Sequence, residues 1–193
     1  MELSLLFSMA GFALVMSLTP GPVNMVAFGA GARYGFRASL RHVWGATVGF
    51  VLLLLLMGAG LNEVLQRWPA VALMLHWSGL LFLGYMAWLL VADRGELSLR
   101  ESAAPALHHG ALMQWLNPKA WLAASMGAAS YGAGVGALLL FSLIYLVICL
   151  LSIACWAYAG SRLQHHLWAP RQQRWFNRAM TALLLGMIIE LAW

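Results

Sequence analysis

Thr19-Pro20-Gly21-Pro22-Val23-Asn24 breaks the first apolar run of this chain, and Gln114-Trp115-Leu116-Asn117-Pro118-Lys119 breaks the fourth. Proline lacks a backbone N–H and clashes with the carbonyl four residues earlier, so it kinks or ends a helix. The groups it frees cannot be satisfied by lipid, only by protein or by a water-filled cavity. One break in each half of a hydrophobic chain is the sequence pattern of a transporter's binding site.

The composition places these breaks in a membrane. Of 193 residues, 63% are hydrophobic and only 9% are charged, against roughly a quarter charged in soluble domains. Mean hydropathy is +0.80. A span needs about 20 apolar residues, and the apolar runs give six. They cover about 3–32, 44–61, 70–92, 110–131, 137–160 and 179–193. The first run has Glu2 and no basic residue before it, and it continues past Pro22. It therefore reads as a retained span rather than a signal peptide.

Between the spans lie expected loops at 33–43, 62–69, 93–109, 132–136 and 161–178. The first holds Arg33, Arg37, Arg41 and His42; the third holds Arg94 and Arg100; the last holds Arg162, Arg171, Arg174 and Arg178. These share one side of the membrane and Arg67 stands alone on the other, so both termini are expected outside and the basic loops inside. The net charge of +5 follows from this bias and gives no reason to invoke nucleic acid. The 10 Trp residues suit interfacial anchoring.

Three spans per half make the halves enter in opposite directions. The expected fold is an all-α polytopic membrane protein of six transmembrane helices, arranged as two inverted three-helix repeats with helices one and four broken. The single transporter domain divides into 1–92, a cytoplasmic linker at 93–109, and 110–193. Ala32-Arg33-Tyr34-Gly35 resembles Ala129-Ser130-Tyr131-Gly132, and at that offset the two breaks coincide to within a residue.

The second break reads as a half-helix start, because Asn favours the N-cap and Pro the first helical position. Its free N–H groups would attract an anion, and Lys119 adds a full charge. In the first break, the carbonyls freed by Pro20 and Pro22 could accept from an ammonium, with the Thr19 hydroxyl and the Asn24 amide. Gly21 permits close backbone approach. Gln114 adds a polar side chain beside the second break. Such a pair of breaks suits a zwitterion, an α-amino acid. The same residues are also compatible with plain kinks, and Lys119 with snorkelling to an interface.

These motifs resemble the lysine-exporter / homoserine-threonine-resistance (LysE/RhtB) family of bacterial amino-acid exporters. The resemblance rests on Thr19-Pro20-Gly21-Pro22 with Asn24, on Gly31-Ala32-Arg33-Tyr34-Gly35-Phe36-Arg37 and on Trp44-Gly45 to Gly49. Leu83-Gly84-Tyr85-Met86-Ala87-Trp88-Leu89 and Gln114-Trp115-Leu116-Asn117-Pro118-Lys119-Ala120 complete it. Val23 stands where the family often has a third acyl-type residue or Asn, a departure that bears on the shape of the first break. The resemblance implies a multi-pass protein of the bacterial inner membrane that expels amino acids, driven by the proton-motive force. Threonine, homoserine, cysteine or O-acetylserine serve many members, lysine and arginine others.

Substrate charge follows from the acids. Glu2, Glu63, Asp93, Glu96, Glu101 and Glu190 are the only ones, and none falls at mid-span. A cationic side chain would lack a partner, so a neutral amino acid is favoured. Lys119 also lacks an acidic partner, which fits pairing with a substrate carboxylate or carrying a coupling proton.

An enzyme is not expected. His108-His109 and His165-His166 are adjacent pairs, with no metal-ligand spacing and no acid cluster. No cofactor, metal or catalytic group is called for. Cys149 and Cys155 are six residues apart on different helix faces and should stay unpaired. The alternative is a passive channel or a structural subunit. Gly58-Ala59-Gly60 and Gly127–Gly136 suit internal packing or a homodimer.

Overall fold

The structure is a computed structural model that describes residues 3–92, 104–164 and 170–192. Among them every regular element is helical. Helix α1 (Leu3–Leu18) ends at the first break, and α2 (Pro22–Tyr34) leaves it at 62°. Pro22 at the first helical position of α2, and Pro118 at that of the helix after the second break, show the cause, since a missing N–H is harmless in the first turn.

The expected basic loop at 33–43 is instead a single residue. Gly35 adopts φ 80°, its N–H bonds Gly31 O at 3.0 Å, and α3 (Phe36–Leu56) begins at once. Glycine is the residue that tolerates this left-handed backbone at a helix end. Arg37, Arg41 and His42 therefore sit on the opening turns of α3, and His42 is fully buried rather than in a loop.

Helix α3 runs on through a π-helical turn, Met57–Leu61, into α4 (Asn62–Arg67), so the expected loop at 62–69 shrinks to Trp68. Helix α5 spans Pro69–Ala92. Most of the expected linker, 93–103, lies outside the described residues. Helix α6 (Leu107–Leu116) begins before the expected span and takes His108 and His109 out of a loop. Helix α7 (Pro118–Tyr131) follows the second break directly. The Gly132–Gly134 turn, with Gly134 at φ 106°, leads into α8 (Val135–Gln164). Helix α9 (Pro170–Ala192) carries Arg171, Arg174 and Arg178 within it, and His165-His166 lie outside the described residues.

By length and apolarity, 4 helices among the described residues can cross a membrane, or 5 when α1–α2 counts as one span. The expected fourth span, α6–α7, is not among them. Its stretch holds His108, His109, Gln114, Asn117 and Lys119, which lower its apolarity. A broken, polar segment of this kind persists at membrane depth only where protein surrounds it.

Helix α8 is the centre of the bundle and packs against α1, α2 and α3. Phe141, Tyr145, Cys149, Ile153 and Ala157 recur every fourth residue along it and are all buried. Such residues share one helix face. Leu139, Leu143 and Leu151 on its other faces are exposed, as suits contact with lipid. Helices α5 and α9 form a flanking pair, with Leu83, Met86, Met180 and Leu184 packed around Met25 of α2.

At the end carrying Arg33, Arg37 and Arg162, the helices touch backbone to backbone. A Cβ on Gly31 would collide with the carbonyl of Ala157, and one on Gly160 with that of Phe28, so α2 and α8 meet without side chains between them. A Cβ on Gly45 would meet the carbonyl of Leu107, and one on Gly110 that of His42, so α3 and α6 do the same. Small residues allow this approach between membrane helices.

Three tryptophans expected as interfacial anchors are hydrogen-bonded into the bundle. Trp115 Nε1 donates to Gly49 O at 3.1 Å, Trp121 Nε1 to Trp115 O at 2.7 Å, and Trp156 Nε1 to Leu18 O at 3.1 Å. The last two serve carbonyls at the ends of the broken helices, where the helix's own N–H groups run out.

Candidate functional site

The two breaks, about a hundred residues apart in sequence, meet. Lys119 Nζ donates to the carbonyl of Thr19 at 2.7 Å. A Cβ on Gly21 would sit 3.5 Å from Lys119 Cδ and 3.7 Å from its Nζ, so the lysine stem lies along the bare glycine. Beside this contact is a cavity of about 380 Å3, its open mouth included.

Five of the nine residues singled out from the sequence line it: Gly21, Asn24, Gln114, Asn117 and Lys119. Thr19, Pro20, Pro22 and Pro118 do not. The Thr19 hydroxyl bonds back to Val15 O within its own helix. Pro118 packs on Gly79 of α5. The prolines shape the site and do not line it.

Three carbonyls at the first break, those of Ser17, Leu18 and Thr19, are not vacant, contrary to expectation. Asn24 Nδ2 donates to Ser17 O at 2.9 Å and to Thr19 O at 3.0 Å. Trp156 serves Leu18 O, and Lys119 shares Thr19 O. Each group bonds because lipid offers no alternative. Asn24 is thus a clamp on the bend, buried at 5% exposure. Replacing it with Asp preserves its shape but removes both donors. Asn24→Asp should lose roughly 1–3 kcal/mol for the Ser17 carbonyl it leaves unserved, since Lys119 still donates to Thr19 O. The expected result is a lower melting temperature in detergent, and unchanged melting would mean that the amide does not hold the bend.

The half-helix starts also differ from expectation. The start of α7 is already capped: Asn117 Oδ1 accepts from Lys119 N at 3.2 Å, and Ala120 N donates to Asn117 O at 2.9 Å. The start of α2 has no side-chain cap, and Met25 N is bonded to Gly21 O at 3.0 Å. Pro22 has no N–H, so the amides of Val23 and Asn24 are the orphans of that end. Both residues line the cavity. The positive helix end available to an anion therefore belongs to the first break, while the positive side chain comes from the second.

Gln114 is buried at 5% exposure and lines the cavity. Sequence reasoning missed Ser17, Phe50, Tyr145 and Cys149, which complete the cavity wall. Phe50 and Tyr145 stack at 4.2 Å. Cys149 is buried and Cys155 exposed, both free, as the helix-face argument expects. The four-residue stripe on α8 was the one signal that could have found Tyr145 and Cys149. Among the described residues no group of three metal-ligating side chains comes together.

Comparison with known proteins agrees with this architecture. A family model described as LysE type translocator matches residues 14–193. A cysteine/O-acetylserine efflux protein of Klebsiella pneumoniae is 28% identical over 175 residues, 88% of this chain and 89% of that one. One of Escherichia coli O139:H28 is 24% identical over 191 residues, 94% and 92% of the two chains. One of Salmonella typhimurium is 34% identical over 77 residues, 40% of each. No solved structure matches the chain. With nearly its whole length matched, this multi-pass membrane protein belongs to the LysE type translocator family and is a transporter rather than an enzyme.

Proposed function

We propose that this transporter exports small neutral amino acids and close derivatives from the bacterial cytoplasm, coupled to the proton-motive force. The observation that carries the reading is the contact of Lys119 Nζ with Thr19 O beside a cavity that no acid lines. A positive side chain and an uncapped helix start face one space, and a carboxylate is the group that satisfies both. Gln114 and Asn117 line the same cavity, and their side-chain oxygens would accept from the α-ammonium. The relatives named for cysteine and O-acetylserine efflux point to the same size and charge of cargo.

Binding would change the bundle. A carboxylate that takes Lys119 releases Thr19 O, which then keeps only the Asn24 amide. The backbone seams close the end that carries the arginines. With the basic loops in the cytoplasm and both termini in the periplasm, this is the state shut toward the cytoplasm. The alternation of helix partners supports two inverted halves, 1–92 and 110–193. The first span lies on α8, the fourth on α3, α3 on α8, and α5 on α9. Exchanging the halves maps each pairing onto one of the set.

The test is efflux from cells loaded with dipeptides, comparing this protein with an empty vector. Cysteine, serine or O-acetylserine should leave faster, lysine should not, and an ionophore that collapses the proton gradient should slow the export. Efflux equal to the vector's for every amino acid would overturn the reading in favour of a channel or a structural subunit.

A further inference from the structure

The geometry points to Ser17, with Tyr145 and Cys149, as the subsite that reads the substrate's side chain and selects a short chain ending in a hydroxyl or thiol. This rests on the export reading above and adds to it the residues that discriminate among neutral amino acids.

Ser17 lies in the last turn of α1, at 7% exposure, and lines the cavity. Buried hydroxyls in membrane helices ordinarily donate to the carbonyl four residues earlier. Ser39 does so to Gly35 at 3.0 Å, Thr47 to Val43 at 2.9 Å and Thr181 to Asn177 at 2.8 Å. Ser17 does not, and its Oγ makes no well-formed hydrogen bond among the described residues. Tyr145 and Cys149 stand near enough to interact with that hydroxyl, and all three line the cavity. An unpaired buried hydroxyl is costly, and its presence beside a cavity marks a place for an incoming polar atom.

The surroundings limit what that atom can belong to. Tyr145 is 2% exposed and its ring is stacked on Phe50, so its hydroxyl is fixed in place. Cys149 is 2% exposed. Phe50 and Ile153 make the rest of this wall apolar, and among the described residues Lys119 is the one charged group that lines the cavity. A cationic side chain finds no counter-charge there. An apolar side chain fits by size but leaves the Ser17 hydroxyl unpaired on burial. A hydroxyl or thiol can accept from Ser17 and donate to a neighbouring oxygen, so it is favoured over an apolar chain of equal size.

Serine and alanine differ by that one oxygen, so their efflux ratio reads the subsite. Cells loaded with the corresponding dipeptides should expel serine about tenfold faster than alanine at low internal concentration, the worth of one neutral hydrogen bond with its unsatisfied alternative. Ser17→Ala should bring that ratio to about one. Tyr145→Phe, which removes a single oxygen, should lower it and serves if Ser17→Ala does not reach the membrane. A ratio near one in the unsubstituted protein, or a ratio untouched by these substitutions, overturns the subsite while leaving the export reading intact. If neither amino acid leaves faster than from vector cells, the export reading falls and the subsite with it.

Discussion

Lys119→Met should abolish most export while the protein still folds. Methionine keeps an unbranched stem to lie along Gly21, where Lys119 Cδ is 3.5 Å from the position a Cβ would take. What it removes is the ammonium that donates to Thr19 O at 2.7 Å. Hydrogen bonds to charged groups are worth about 1.5–3 kcal/mol, so losing the one to a substrate carboxylate should slow efflux by roughly 10- to 100-fold. The loss should be alike for serine and for alanine, because every α-amino acid carries the carboxylate. Thr19 O keeps its bond from Asn24 Nδ2 at 3.0 Å, so melting should change far less than efflux. Efflux from loaded cells, beside melting in detergent at matched expression, checks both halves. Export at the unsubstituted rate would place Lys119 outside the site and make it only a strut between the breaks.

The second large effect is structural. A Cβ on Gly110 would collide with the His42 carbonyl and lie 2.7 Å from Ala46 N. These are backbone atoms of α3, which cannot step aside as a flexible side chain could. Gly110→Val must therefore push α6 away from α3. Overpacking of a tight contact costs typically about 1–3 kcal/mol, and more is expected where backbone meets backbone. The displaced α6 carries Gln114 and leads into Asn117, so the cavity should lose its shape as well. Loss of the monodisperse species in detergent, or a melting temperature several degrees lower, is the expected result. Gly29→Ala is the control, since nothing lies within 4 Å of a Cβ there. Equal melting of both variants would show that the α3–α6 seam is looser than drawn.

The local chemistry of this fold was legible in its sequence. Pro22 and Pro118 start half-helices and Asn117 caps one of them, because a cap is a bond between near neighbours. Membrane residence followed from composition alone, and the family followed from the motifs at the two breaks. Other features were local but went unread. Gly35 turns the chain in one residue, yet a cluster of arginines around it resembles a loop. His42 consequently seemed exposed, although it is fully buried with Nε2 3.3 Å from Val23 O.

Tertiary structure alone decided who serves the freed carbonyls. Asn24 is near in sequence, but Lys119 and Trp156 come from the other half of the chain. No spacing rule links them to Thr19 and Leu18. The wall formed by Ser17, Tyr145 and Cys149 was likewise hidden, since in an apolar run a serine, a tyrosine and a cysteine look like packing residues. The physical reason is the range of the forces involved. Proline, glycine and caps act through bonds within one turn of helix, and the sequence displays them. Which unpaired groups find one another across a bundle depends on how the helices pack, and in a medium without water that pairing must be completed by protein wherever it lies in the chain.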